Sequence, residues 1–224
     1  MREGERRAII GPNGAGKTTL FNAIAGEVPV SAGSVRFAGR DVTRLRTHRR
    51  AALGIGRTYQ ITNLFAALTV EENVRLAVQS QNARRFSLLG AGPPTGMEAQ
   101  RVEEALATSG LAGRRRDATR TLSYGEQRQL EFALALASKP SLLLLDEPAA
   151  GLSAAERLVM AQTIDALPRT LTLVLIEHDI DLALRLVDHV TCMHNGSVLV
   201  EGSPDAIRAD ARVQEVYLGR PHDA

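Results

Sequence analysis

The sequence has little cysteine, little net charge and no long apolar run. One cysteine, Cys192, among 224 residues excludes an intrachain disulfide and fits a reducing compartment. No apolar stretch is long enough to cross a bilayer, and residues 1–7 are charged and lack the apolar segment of a signal peptide. Any membrane role is therefore expected to go through a partner. The formal charge of +2 gives no reason to expect a nucleic-acid partner.

What the sequence does contain is the composition of an ordinary globular protein. Hydrophobic residues make up 44% of the chain and charged residues 23%. With 224 residues, the chain is long enough for one large domain or two small lobes. A sizeable apolar core is therefore expected.

A glycine-rich stretch near the start matches the phosphate-binding pattern G-x-x-x-x-G-K-[ST] between Gly11 and Thr18. An apolar strand segment precedes it, and residues 19–25 predict a helix that ends at Gly26. This order creates an anion site, because loop N–H groups and the helix dipole both favour negative charge. Lys17 is expected to reach the β- and γ-phosphates of a nucleotide, and the Thr18 hydroxyl to bind Mg²⁺. The predicted nucleotide contacts are Gly11, Pro12, Asn13, Gly14, Ala15, Gly16, Lys17, Thr18 and Thr19.

Strand and helix patterns alternate at both ends of the chain, and a long helical stretch separates them. From residue 69 to about 139 the periodicity is helical and predicts no strand. The predicted fold is therefore α/β, a P-loop NTPase core with a mostly parallel sheet and flanking helices, plus an inserted helical subdomain. The core lobe is expected over about 1–60 and 141–224, and the helical subdomain over about 61–140.

Individual elements follow from the same patterns. Strands are predicted at 7–10, 35–37, 55–59, 141–145, 171–176, 189–194 and 197–200, and Asn195-Gly196 predicts a hairpin between the last two. Helices are predicted at 47–53, 69–78, 97–109, 123–137, 154–167 and 179–187, with a last helical region from 203 to about 218. Residues 86–95 predict a loop. A solvated face is predicted for the basic cluster Arg44, Arg46, His48, Arg49 and Arg50.

Two carboxylates follow the apolar run at 141–145. Asp146 and Glu147 are expected at the carboxyl end of a buried strand, the edge where open α/β sheets bind ligands. Asp146 is predicted to help hold Mg²⁺, and Glu147 to orient the attacking water as a general base. Acids that merely begin a loop are the alternative interpretation, which the nearby glycine loop disfavours.

The stretch Leu122-Ser123-Tyr124-Gly125-Glu126-Gln127 resembles the signature of ABC-type ATPases, usually written LSGGQ. With Gln60, Asp146-Glu147 and His178, the major motifs occur in the family's order, and the resemblance covers essentially the whole chain. More narrowly, the chain is similar to ATP-binding subunits of branched-chain amino acid uptake systems. That likeness is carried by residues 56–60, 63–65, 68–74, 176–179 and 216–219. Lipopolysaccharide-export ATPases share many of these features.

The resemblance implies a head-to-tail dimer with two ATP molecules between the subunits. The signature residues Ser123, Gly125 and Glu126 then face the nucleotide held by the other subunit. Gln60 is implied in sensing Mg²⁺ and water, and His178 in contacting the γ-phosphate and supporting Glu147. A simple helix cap is the alternative role for Ser123 and Glu126, and a structural role is the alternative for His178. His48, His189, His194 and His222 are expected to be structural, with no metal cluster.

The chain departs from the family pattern in three places. The family's earlier strands, with their adenine-stacking aromatic residue, are expected to be missing before residue 7. Tyr124 and Glu126 replace the second and fourth consensus residues of the signature. Ser153 stands where the family often has Asp or Asn, in a loop that touches the opposite subunit.

The resemblance implies an ATPase that powers transport, with transmembrane permease subunits and a second ATP-binding subunit, identical or different, as partners. It places the chain peripherally on the cytoplasmic face of the inner membrane, with ATP and Mg²⁺ as cofactors. The alternatives are another ABC system such as lipopolysaccharide export, a non-hydrolytic nucleotide-dependent interaction module, and a soluble ABC ATPase acting on DNA or ribosomes.

Overall fold

A computed structural model describes residues 1–58, 64–80 and 96–218 of the chain, without the side chains of residues 217 and 218. The strands are β1 (Arg6–Ile10), β2 (Arg36–Phe37), β3 (Arg40–Asp41), β4 (Ile55–Arg57), β5 (Leu142–Asp146), β6 (Thr172–Ile176), β7 (His189–His194) and β8 (Ser197–Gly202). The helices are α1 (Lys17–Ala25), α2 (Thr47–Ala52), α3 (Val70–Ser80), α4 (Gly96–Thr108), α5 (Tyr124–Ala137), α6 (Ala154–Asp165), α7 (Ile180–Leu186), α8 (Pro204–Ala209) and α9 (Ala211–Leu218). The predicted α/β class is confirmed.

The main sheet has the strand order β4-β5-β6-β1-β7-β8. Its strands pair in parallel from β4 to β7, and β8 closes the sheet as an antiparallel partner of β7. Asn195 and Gly196 form the tight turn of that hairpin, with φ angles of 48° and 77°. The parallel arrangement brings the carboxyl ends of β1, β5 and β6 to the same edge.

The two faces of the sheet belong to different apolar clusters. In β5, Leu143 and Leu145 join the cluster that contains α6, whereas Leu142 and Leu144 join the cluster that contains α1. Successive strand residues point to opposite faces, so a strand covered on both sides needs an uninterrupted apolar run. This explains why four consecutive leucines precede Asp146.

A third apolar cluster lies among α3, α4 and α5. Helix α5 belongs to two clusters, because Leu130 and Ala133 face α3 and α4 while Phe132 packs with the sheet residues. The start of α5, which carries the signature residues, is therefore positioned by the helices and the sheet together. Within the part of the chain that the structure describes, the predicted lack of strands in this region holds, apart from an isolated bridge between Thr69 and Ala118.

The basic cluster before β4 is not wholly solvated, and the prediction was wrong for Arg50. This side chain is 1% exposed. Its guanidinium donates to the carbonyl oxygens of Ala23 and Ile24, both at 2.6 Å, and to those of Thr43 and Leu45. Arg50 therefore satisfies carbonyls that the last turn of α1 leaves without a helical partner.

Smaller differences concern element ends. Helix α1 begins at Lys17 rather than at residue 19, and the short strand predicted at 35–37 is half of a small hairpin, β2–β3. The loop prediction at 86–95 and the interpretation of Gln60 lie outside the described residues. Among the residues described, no helix combines the length and apolarity needed to span a bilayer.

Candidate nucleotide site

The glycine loop joins β1 to α1 at the carboxyl edge of the sheet. Gly11 has a φ of 150°, and a Cβ atom there would overlap the carbonyl oxygen of Met193. Gly16 caps α1 in a left-handed conformation, with φ of 94° and no side-chain hydrogen bond, and the first turn of α1 contains no acidic residue. Among the described residues, no side chain caps the first N–H groups of α1, which favours an anion.

Lys17 lies inside this loop. Its side chain is 6% exposed, and its ammonium donates to the carbonyl oxygens of Gly11 at 2.6 Å and Pro12 at 3.0 Å. Burial lowers the pKa of Lys17, while the nearby charges of Glu147 and Asp146 oppose that shift. The loop thus holds a cation at its centre, close to the carboxylates at the end of β5.

Asp146 is the last residue of β5 and is 3% exposed. Its Oδ2 accepts a hydrogen bond from Arg57 at 3.2 Å, whereas its Oδ1 is buried and has no hydrogen-bond partner among the residues that the structure describes. Burial is the largest influence on its pKa and raises it. A buried carboxylate oxygen without a donor fits a ligand of Mg²⁺, which proteins often hold through one carboxylate together with phosphate oxygens. Thr18 is exposed at the start of α1.

Arg57 is a residue whose role the sequence interpretation missed. Besides Asp146, its guanidinium contacts Asn22 Oδ1 and Glu27 Oε2, both at 2.8 Å, and lies 5.3 Å from the centre of the Phe21 ring. Arg57 therefore ties β4 and β5 to the end of α1. Its position at the end of β4, which pairs with the strand of Asp146, brings the two side chains together.

Glu147 and His178 are brought together as predicted. His178 Nε2 lies 2.7 Å from Glu147 Oε1, with the histidine side chain 53% exposed and the glutamate 22% exposed. The Glu147 backbone N–H donates to the Ile176 carbonyl oxygen at 2.9 Å, which fixes the turn after β5 against the end of β6. The pair therefore combines a carboxylate and an imidazole in an open position at the edge of the sheet.

Glu177 is a second residue that the sequence interpretation passed over. It is 5% exposed, and its carboxylate accepts hydrogen bonds from the backbone N–H groups of Ala149 at 2.9 Å and His178 at 3.1 Å. Burial raises the pKa of Glu177, although the backbone donors oppose the shift. Glu177 therefore fixes the loop after Glu147 relative to His178. The sequence did contain a signal for this role, because Glu177 directly follows the apolar strand β6, at the edge where ligands bind.

The signature residues form a separate cluster at the start of α5. Ser123 Oγ accepts from the Glu126 N–H at 3.2 Å, and Glu126 Oε2 accepts from the Ser123 N–H at 2.8 Å, which is the predicted capping box. Among the described residues, no hydrogen bond or ion pair joins this cluster to the glycine loop. The structure thus brings Lys17, Asp146, Glu147 and His178 to one sheet edge and keeps the signature residues apart from them.

A family model described as ABC transporter matches residues 1–150. The chain belongs to the ABC transporter ATPase family. A second model, described as branched-chain amino acid ATP-binding cassette transporter, matches residues 197–223 of this ABC subunit. Subunits of this family work with transmembrane permeases and dimerise. The chain itself is an ATP-binding ATPase subunit.

Curated relatives match nearly the whole length of this chain. It is 36% identical over 220 residues to the high-affinity branched-chain amino acid transport ATP-binding protein BraF of Pseudomonas aeruginosa, a match that covers 95% of this chain and 86% of BraF. It is 35% identical over 226 residues to LivG of Salmonella typhimurium, which carries the same description, and this match covers 98% of the chain and 89% of LivG.

Solved structures of ABC cassettes share the fold. MJ1267, an ATP-binding cassette of an ABC transporter, aligns with a TM-score of 0.83 and 28% identity over 98% of this chain and 90% of that chain. A dimeric post-hydrolysis structure of the cassette MJ0796, bound to ADP and Pi, aligns with a TM-score of 0.75 and 27% identity over 91% of this chain and 87% of that chain.

Proposed function

We propose that this ABC subunit hydrolyses ATP to power the uptake of branched-chain amino acids. The proposal of the solute is supported by BraF and LivG, whose names describe that transport and which align over 95% and 98% of the chain. It is also supported by the match of residues 197–223 to a branched-chain amino acid transporter model.

The contact between Glu147 and His178, beside the glycine loop, carries the catalytic proposal. Glu147 acts as the general base that polarises the attacking water, and His178, 2.7 Å away, orients that carboxylate and contacts the γ-phosphate. Lys17 and the backbone N–H groups of residues 11–19, other than Pro12, bind the phosphates. Catalysis of phosphoryl transfer then consists mainly of positioning and charge neutralisation.

Three residues are proposed to hold Mg²⁺: Asp146 through its unpartnered Oδ1, Thr18 through its hydroxyl, and Gln60. When bound there, the ion neutralises charge on the β- and γ-phosphate oxygens. Arg57 holds the other oxygen of Asp146 and so leaves Oδ1 for this task. Gln60 is proposed from the sequence motif alone.

The functional unit is proposed to be a dimer on the cytoplasmic face of the inner membrane, docked on transmembrane permease subunits. Ser123, Gly125 and Glu126 of one subunit contact the ATP held by the glycine loop of the other. The separation of the two clusters within one chain supports this arrangement, because a second subunit is then needed to bring both to one nucleotide. The core lobe is proposed at about 1–60 and 141–224, with the helical subdomain at about 61–140.

The catalytic proposal is tested with Glu147→Gln. The substitution removes the base and leaves the phosphate-binding loop intact, so steady-state hydrolysis is expected to fall by about 10²–10⁴-fold while calorimetry still detects ATP binding. Glu103→Gln is the control, because Glu103 is an exposed glutamate on α4 that pairs with Arg115. Turnover of the Glu147 variant near that of the unchanged protein would remove Glu147 from the role.

The solute is tested by uptake in the native host. Deleting the gene is expected to lower uptake of radiolabelled leucine and valine, with uptake restored by the unchanged gene and not by Glu147→Gln. Unchanged uptake after deletion would contradict the assignment of branched-chain amino acids, while leaving the hydrolysis experiment to decide the ATPase role.

A further inference from the structure

Glu156 belongs to α6, yet its carboxylate lies against the start of α5. A Cβ atom on Gly125 would overlap the Glu156 carboxylate, so the carboxylate lies closer to this backbone than it could beside any residue other than glycine without moving. Gly125 is buried, although the two residues before it, Ser123 and Tyr124, are exposed. The signature glycine is therefore covered by an acidic side chain of the same subunit.

The two oxygens of Glu156 have different neighbours. Oε2 accepts hydrogen bonds from the Ser153 N–H at 2.9 Å and the Ser153 hydroxyl at 2.7 Å, which completes the cap of α6. Oε1 faces Gly125. The hydrogen bonds of Ser153, together with the Gly125 N–H, lower the pKa of Glu156, so the carboxylate is charged near neutral pH. The helix cap therefore uses one oxygen and leaves the other at the positive end of α5.

The loop before α6 is fastened to the signature by Tyr124. Its hydroxyl donates to the Ala150 carbonyl oxygen at 3.3 Å and accepts from Arg128 at 3.0 Å and 3.2 Å. Gly151 has a φ of 75°, and a Cβ atom there would lie 3.0 Å from the Tyr124 ring. These contacts hold the start of α6, and with it Glu156, beside the start of α5.

We propose that Glu156 is a residue of the signature site, whose carboxylate occupies the start of α5 until an ATP γ-phosphate from the other subunit displaces it. This inference rests on the proposed dimer. Two anions then compete for the Gly125 N–H group, and the charge of Glu156 raises the ATP concentration that subunit association requires. ADP lacks the phosphate that displaces the carboxylate. Glu156 therefore opposes subunit association when ADP rather than ATP is bound.

The test measures dimer formation against the concentration of ATP and Mg²⁺ in the full-length Glu147→Gln protein, with and without Glu156→Gln. Glutamine keeps the shape of the side chain and an oxygen that accepts from Ser153. Removing one charge at a helix N-terminus is expected to lower the ATP concentration at half-maximal dimerisation by about twofold to fivefold per site. The difference is expected to shrink at high salt, since Glu156 is partly exposed.

Glu72→Gln in the same background is the matched control. Glu72 caps α3 in the same way, with Oε2 accepting from the Thr69 N–H at 2.7 Å and the Thr69 hydroxyl at 2.8 Å. Glu156→Asp is the second variant, because it keeps the charge but draws it back from Gly125, and it is also expected to lower the ATP requirement.

An ATP requirement for the Glu156 variants equal to or above that of the Glu72 control would overturn the inference while leaving the dimeric ATPase intact. Failure of every variant to dimerise, the Glu147→Gln protein included, would instead contradict the proposed function and this inference with it.

Discussion

Glu147 adopts a left-handed backbone conformation, with φ of 50°, although it has a side chain. A left-handed conformation at a residue other than glycine destabilises the folded state by on the order of 1 kcal/mol or more. It is found where surrounding contacts fix the backbone. Here the N–H bond to Ile176 and the contact with His178 do so. At the scale of single residues, the site therefore depends on a strained turn that aims a carboxylate, with a histidine that keeps it in place.

Replacing His178 by alanine is expected to lower kcat with a smaller change in the KM for ATP. Misplacing a catalytic group by about 1 Å costs up to about 10²-fold in rate, and His178 is the side chain that restrains Glu147 at 2.7 Å. Steady-state kinetics on both constants provide the measurement, with His189→Ala as the control because His189 is exposed on β7. A raised KM at unchanged kcat would mean that His178 binds nucleotide rather than positioning the base.

Glu177 illustrates how a buried group supports exposed ones. Its carboxylate joins the Ala149 and His178 N–H groups, so it holds the two loops that carry Glu147 and His178. Glu177→Ala removes the acceptor of the buried Ala149 N–H group and of the partly buried His178 N–H group, and it is expected to destabilise the protein by about 1–3 kcal/mol, mainly through the buried donor. Urea unfolding measures this effect. Stability equal to that of the unchanged protein would show that water or other groups replace the carboxylate.

At the scale of elements, periodicity predicted most of the fold because burial in these strands and helices is regular. The leucines of β5 fill both faces of the sheet, and the capping boxes at Ser123 and Ser153 mark the starts of α5 and α6. Lys17, Asp146 and Glu147 were predicted from motifs beside predicted strands, whereas His178 and the signature residues were singled out by the family resemblance. The candidate site residues therefore came from motifs and resemblance rather than from burial periodicity.

The features that escaped prediction depend on distant partners. Arg50 stands in a run of basic residues typical of a surface, and its burial becomes understandable only when the carbonyls of Ala23 and Ile24 are placed beside it. Arg57 similarly receives its role from Asp146, which follows it by many residues. Contacts between residues that are distant in the sequence produce no periodic pattern, so local sequence does not predict them.

Arg50→Ala is expected to destabilise the fold by about 2–4 kcal/mol, since it removes the donors of several buried carbonyls. Arg49→Ala provides a matched control on the same helix, because Arg49 is exposed. A change of less than about 0.5 kcal/mol is expected there. Chemical denaturation of both variants gives the comparison, and equal losses of stability would contradict the structural role assigned to Arg50.

At the scale of the whole molecule, the residues proposed for the nucleotide site fall in two regions. Lys17 and Glu147 lie at the edge of the sheet, whereas Ser123 and Gly125 lie at the start of α5 in a separate cluster. A γ-phosphate bound at the glycine loop of one subunit still presents charged oxygens to solvent. The signature residues of a second subunit can bind these oxygens. ATP is therefore expected to link two subunits, because a ligand that binds only the dimer stabilises it.

Sedimentation velocity on the Glu147→Gln protein tests this account most directly. With ATP and Mg²⁺ the protein is expected to shift from monomer to dimer, because bound ATP is not consumed, and with ADP it is expected to stay monomeric. Adding Ser123→Arg is expected to abolish the shift while calorimetry still detects ATP binding, since the larger side chain blocks the opposite phosphate. The second ATP-binding subunit of the transporter is either identical or different. The experiment is therefore repeated with a different ATP-binding subunit present. A monomer with ATP in both runs would contradict the dimeric ATPase mechanism.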